Sequence, residues 1–126
     1  QDFIDKNPNT MNIIVEELLK VWRRANADPF YIEDERARLN LLPELPKDLA
    51  NEINPYFVTA AASGMYPVNG GGAEAAKGDF DFYTFAGQLK GKAADLKVAD
   101  YWSLEPLNMA LKKLGVIETL TYHPPK

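Results

Sequence analysis

Cysteine is absent from this chain and histidine occurs once. The first absence excludes disulfides and thiolate metal sites, and the two together argue against a transition-metal centre. No Ser-His-Asp or Cys-His set can be assembled around the single histidine, His123, which stands beside Pro124-Pro125 close to the chain end. A basic surplus is missing too. There are 14 Lys and Arg against 18 Asp and Glu, a net charge of −4. Nucleic acid and anionic membrane each call for a basic face, so neither is expected as the main partner. No run of about 18 apolar residues occurs, so no membrane span is expected. No signal-peptide pattern is seen, and no internal repeat.

What is present describes an ordinary globular chain. At 126 residues one domain is expected over 1–126, burying roughly two-thirds of its unfolded surface. Nearly half the residues are apolar and a quarter charged, the balance of a chain that can close one modest core.

The apolar period is near that of a helix through most of the length, and the fold class expected is all-α: about five short-to-medium helices in an irregular bundle, with an extended C-terminal tail. Asn7-Pro8 opens the first helix. Asn is suited to accept an early free N–H, and Pro loses nothing at the first helical position. Met11, Ile14, Val15, Leu18, Trp22 and Ala25 then form one stripe, with acids preceding bases off it, so this helix is expected from about Pro8 to Asn26. Asp28-Pro29 repeats the cap chemistry before a short charged helix whose inner side is Phe30, Ala37 and Leu41. Pro43 and Pro46 mark a stop and restart. The next segment has Leu49 and Ile53 inward, a kink or new cap at Asn54-Pro55, and Gly64 as its C′ residue.

Residues 68–78 are expected as a flexible glycine-rich loop, because Pro67 and Asn69-Gly70-Gly71-Gly72 neither hold a helix nor pack a core. Asp79 is expected to cap a helix with Phe82, Phe85, Ala86 and Leu89 inward, ended by Gly91. Ser103 then caps a last helix, with Pro106 in its first turn, Leu104, Leu107, Leu111 and Leu114 inward, and Gly115 closing it. The tail Val116–Tyr122 is β-branched. It is expected to be extended or to pair with another molecule.

Candidate chemistry is sparse. Gly70-Gly71-Gly72 invites comparison with a phosphate loop, but no Lys-Ser/Thr follows and no strand precedes, so it reads as a connector. Glu33, Asp34 and Glu35 are adjacent and therefore diverge on a helix. They read as a solvated face paired with Arg36 and Arg38. Asp79 and Asp81 read as helix-start acids. The aromatics Tyr56, Phe57, Phe80, Phe82, Tyr83, Phe85, Tyr101 and Trp102 are many for a small helical domain. Most are expected in the core and the surplus in an exposed interface. No catalytic, cofactor-binding or metal-binding residue is assigned.

Three stretches resemble a known family. Phe3-Ile4-Asp5-Lys6-Asn7-Pro8 leads into a helix ending Trp22-Arg23-Arg24-Ala25-Asn26-Ala27-Asp28-Pro29. Phe82-Tyr83-Thr84-Phe85-Ala86-Gly87-Gln88-Leu89 follows later, and then Val98-Ala99-Asp100-Tyr101-Trp102-Ser103-Leu104-Glu105-Pro106-Leu107 with Ala110-Leu111. In this order they resemble the C-terminal portion of the nitrate/sulfonate/taurine type of ABC-transporter solute-binding protein, a family that includes thiamine-precursor binders. The chain departs from the family in length, since such proteins have two α/β lobes and the strand-rich part is missing here. The resemblance therefore carries over no ligand-binding residue.

Two functions follow as expectations. On the first, the chain is a non-enzymatic fragment of a solute-binding protein, supporting a lobe outside the cytoplasm, in the periplasm or its equivalent. Its partners would be the rest of that protein and, through it, a membrane permease. The start at Gln1 rather than Met fits a fragment. On the second, it is a self-standing helical interaction domain that assembles through aromatic surface and tail, including as a homodimer. Enzymatic activity is not expected on either, nor a cofactor.

Overall fold

The structure, a computed structural model, describes residues 2–44 and 47–118, and of Lys47 and residues 49–54 only the backbone. Over these residues the protein is all-α. Six helices, α1 (Asp2–Lys6), α2 (Pro8–Ala27), α3 (Tyr31–Arg38), α4 (Lys47–Ala62), α5 (Gly72–Phe85) and α6 (Glu105–Leu114), are joined by loops that include two single 3-10 turns, Ala93–Asp95 and Val98–Asp100. The chain divides into two units, Gln1–Glu16 with Asn69–Val116 and Glu17–Val68 with Ile117–Lys126.

In the first unit the core is built around Phe80 of α5, which is 1% exposed. Its ring meets those of Tyr101 and Trp102 edge-on, at centroid distances of 5.2 and 5.4 Å, the arrangement that the ring quadrupoles favour. Ala76 lies one turn back on the same face, and α6 buries Pro106 and Ala110. The inner face expected of α5 is therefore corrected. Phe82 and Phe85 point outward, Phe85 at 92% exposure. The cause is the packing of Phe80 on Tyr101 and Trp102, which brings that face of the helix inward. The helix also begins at Gly72, ahead of the expected cap at Asp79, so residues 72–78 belong to its first half and not to a loop. Asp79 is an exposed mid-helix residue. The helix ends at Phe85, before Gly91. There Gly87 takes a positive φ of 72°, and the amides of Gly87 and Gln88 donate back to the carbonyls of Thr84 and Tyr83.

Helix α6 lies close to where the sequence puts it, and Gly115 closes it with φ 75°. The residue at its N-cap is Leu104 and not Ser103, and no side chain caps it. Leu104, Leu107, Leu111 and Leu114 are half-buried, one position round from the fully buried Pro106 and Ala110. Near the start of the unit, Asn7 precedes α2 as expected but caps backward. Its side-chain amide donates to the carbonyl of Phe3 in α1 at 3.0 Å. The same carbonyl accepts the backbone amide of Asn7 at 2.9 Å, so main chain and side chain of one residue close α1 together.

The second unit has a different kind of core. Leu19, Ala25, Pro29, Ala60, Ala61 and Val68 are buried, and with them Asn26. The Asn26 amide donates to the carbonyls of Tyr66, at 2.6 Å, and Trp22, at 2.9 Å. Arg23 Nε donates to the carbonyl of Val68 at 2.7 Å. These bonds turn the inner face of α2 toward Leu19, Arg23 and Asn26. Leu18 and Ile14, expected inside, are exposed. The cap expected at Asp28-Pro29 is displaced: α3 starts at Tyr31 with Phe30 at its N-cap and no side-chain cap, and Asp28 Oδ1 instead accepts the amide of Phe30 at 3.1 Å in a side-chain turn. Helix α4 runs through Pro55 without a second cap. It closes on Gly64 (φ 74°), with the Gly64 amide donating to Ala61 and the Met65 amide to Ala60. The side chains of Leu49 and Ile53, residues 119–122 of the tail and His123 lie outside the described residues; residues 116–118 form no regular structure.

Candidate binding groove

Within the second unit, α3, the loop after it and α4 enclose a groove of about 640 Å³. Val21 of α2, Tyr31 and Ile32 of α3, Leu39, Leu41 and Leu42 of the loop, and Tyr56 and Phe57 of α4 line it, together with Glu33, Glu35 and Arg36. The volume lies within the range of ligand pockets, roughly 300–1,000 Å³. Its wall is unusual in what it leaves uncovered. Leu39, Leu41, Leu42 and Tyr56 are 52, 53, 59 and 57% exposed.

The loop that carries the leucines is fixed by polar bonds. Arg36 Nε and Nη2 donate to the two carboxylate oxygens of Glu33, at 2.8 and 2.6 Å. Arg36 Nη1 donates to the carbonyls of Leu41 and Leu42, at 3.0 and 3.2 Å. One planar guanidinium thus ties α3 to the loop, and Glu33 orients it. A fork–fork pair is geometrically stricter than a lysine contact. Both side chains are about four-fifths shielded from solvent. The Arg36 bond holds the Glu33 carboxyl below its ordinary range, and Glu33 in turn raises Arg36.

Backbone strain sits at the same place. Asn40 and Leu42 both have φ 51°. For Asn40 this is tolerated, and it closes α3, with the Asn40 amide donating to Ala37 and the Leu41 amide to Arg36. For Leu42 it is an outlier, the more so because Pro43 follows and disfavours helical conformations of either hand before it. Such a residue costs on the order of 1–3 kcal/mol and persists where its surroundings hold it. Here the Arg36 bond to its carbonyl does so.

The segment that carries the groove is acidic. Among its described side chains, over residues 31–57, Glu33, Asp34, Glu35, Glu44 and Asp48 stand against Arg36 and Arg38, a net −3. Arg38 pairs with Glu35 at 2.6 Å, which lowers Glu35 and raises Arg38. Asp34, Glu44 and Asp48 are exposed. A further cation, Arg24, lies 4.0 Å over the ring of Tyr31.

The groups singled out in the sequence are dispersed. The pairing of Glu33 and Glu35 with Arg36 and Arg38 is present, but Glu33 walls the groove and is not merely solvated. Gly70, Gly71 and Gly72 all have positive φ and lead into α5. A Cβ on Gly70 would stand 2.5 Å from Leu107 Cδ1, so close packing is one reason for glycine there. In the first unit Asn12, Glu16, Met109, Lys112 and Lys113 border a recess of about 390 Å³, where the buried Glu16 accepts from Lys113 at 2.8 Å. Among the described residues no group of His, Cys, Asp and Glu is arranged to hold a metal ion, and no helix is long and apolar enough to cross a membrane.

Sequence reasoning missed the groove. A signal was available in Leu39-Asn40-Leu41-Leu42-Pro43. Asn after a charged helix takes the left-handed conformation readily, and that ends the helix with three leucines in the connection. No family model matches the chain, and neither a curated protein nor a solved structure is significantly similar to it.

Proposed function

We infer that this chain is a non-enzymatic interaction module whose groove between α3 and α4 receives apolar side chains. The observation that carries this is the leucine loop. A nearly saturated Arg36, a strained Leu42 and three half-exposed leucines cost stability and return little core. An apolar surface held rigidly open in this way is typical of sites completed by something else. The groove's charged groups are already bonded to one another, so they favour binding over acid–base chemistry. The test is fluorescence of an uncharged solvatochromic dye, which reports exposed apolar surface without opposing the groove's charge, with the native chain. Saturable enhancement that Leu41→Asn/Leu42→Asn removes, without lowering the thermal midpoint, is expected. Enhancement indifferent to that double change would place the apolar surface elsewhere and end this reading.

The second reading is a supporting helical region of an ABC-transporter solute-binding protein, outside the cytoplasm. Its support is that two of the resembling stretches fall on helix starts, Asn7-Pro8 at α2 and Glu105-Pro106 at α6, and that Phe82 and Phe85 are left for a covering partner. A reading frame with βα repeats encoded upstream supports it; a frame limited to this chain excludes it.

A further inference from the structure

We propose that the occupant of the α3–α4 groove is an amphipathic helix with a basic polar face, supplied by a partner protein; the proposal rests on the interaction-module reading above. Charge selects the partner's sign. The described side chains of residues 31–57 carry net −3 within a chain of net −4. Its cations Arg36 and Arg38 are spent on Glu33 and Glu35. Asp34, Glu44 and Asp48 stay exposed on α3, the loop and α4. Lysines or arginines flanking an apolar stripe would complement them, and like charges would be repelled.

Backbone chemistry selects the helix. An extended peptide must find partners for its own N–H and C=O groups on binding. This groove has no row of backbone groups to offer them: the described residues contain no strand edge, and the guanidinium of Arg36 is committed to Glu33, Leu41 and Leu42. A helix arrives with its backbone already bonded and presents side chains at three- and four-residue spacing. A small apolar molecule is disfavoured because such ligands bury most of their surface, whereas the leucine wall is more than half exposed.

The experiment uses the full chain and two labelled synthetic helices of 18 residues with one leucine pattern, their polar faces all lysine or all glutamate. Fluorescence anisotropy should show the lysine helix binding at least about tenfold tighter at low salt, with the gap narrowing as salt rises. Leu41→Asn/Leu42→Asn should weaken that binding by about tenfold or more, while circular dichroism is unchanged and the melting midpoint is not lowered, since Asn relieves the left-handed strain at position 42. Equal binding of both peptides, abolished by the double change, would overturn the charge assignment and leave the groove reading standing. Lysine-helix binding that ignores the double change would overturn the site. If neither helix binds, and sedimentation shows a dimer that the double change dissociates, the occupant is a second copy and the basic-helix proposal fails. If neither binds and the double change alters nothing, both the proposal and the groove reading fail.

Discussion

The first unit stabilises its interior with rings, and the second with amides and a guanidinium. Around Phe80 the contacts are edge-to-face aromatic ones whose contribution comes from area and needs no hydrogen-bond partner. Around Asn26 and Arg23 the contacts are to carbonyls of residues 66 and 68, and Arg36 does the same for residues 41 and 42. Rings fill space and leave the surface to fall where it will. Polar clamps fix a loop whatever its side chains are, and so permit leucines to face outward. An apolar groove is compatible with the second strategy because the loop does not depend on its leucines for its position.

The sharpest way to break this comparison is Phe80→Ala. A fully buried aromatic truncated to alanine costs about 3–5 kcal/mol. Chemical denaturation should show that loss, and hydrogen exchange should place it in α5 and α6. Retained protection there would show that the rings are not the core of the unit.

Asn26→Ala tests the polar strategy. It leaves the part-buried carbonyl of Tyr66 without its donor, a loss of about 1–3 kcal/mol. Amide exchange should accelerate first at residues 63–68. An unchanged exchange pattern would mean that packing, and not the clamp, holds the segment.

Two glycines of the first unit should respond with opposite signs. Gly70→Ala forces a Cβ into the left-handed region and against Leu107, and should destabilise by about 1–2 kcal/mol. Gly78 lies inside α5 with open space where a Cβ would go, so Gly78→Ala should stabilise by about 0.4–1 kcal/mol. Matching signs in thermal melts would contradict the helix start at Gly72.

The mildest effect is that of pH on the groove. The Glu33 carboxyl is held below its ordinary 4.5 by its bond from Arg36. The pair therefore contributes fully above the unfolded-state value, and the contribution is lost as pH falls through the lowered folded value. Protection factors at residues 39–42, taken against the intrinsic exchange rate at each pH, should fall on acidification below about pH 4.5. Glu33→Gln should abolish that dependence; a dependence that survives the change would point to another carboxylate.

Local pattern is enough for the all-α class, the extent of α2, the closure of α4 at Gly64 and of α6 at Gly115, and the i, i+3 pairing of Glu33 and Glu35 with Arg36 and Arg38. All are local. They depend on periodicity, on glycine's freedom at positive φ and on helix spacing, which a single segment encodes. Which face of each helix is inner depends on packing between segments. Leu18 and Phe82 are as apolar as Leu19 and Phe80, and the difference lies in partners distant in sequence: Tyr101 and Trp102 for Phe80, the carbonyls of Tyr66 and Val68 for the face of α2 that holds Leu19. The groove belongs to the same category. Its clamp is legible once Arg36 is seen to reach past the end of α3, but Tyr56 and Phe57 reach its wall only because α4 returns alongside α3. A pattern of residue types carries propensity and period. It does not carry the long-range pairing that chooses among faces of equal hydrophobicity.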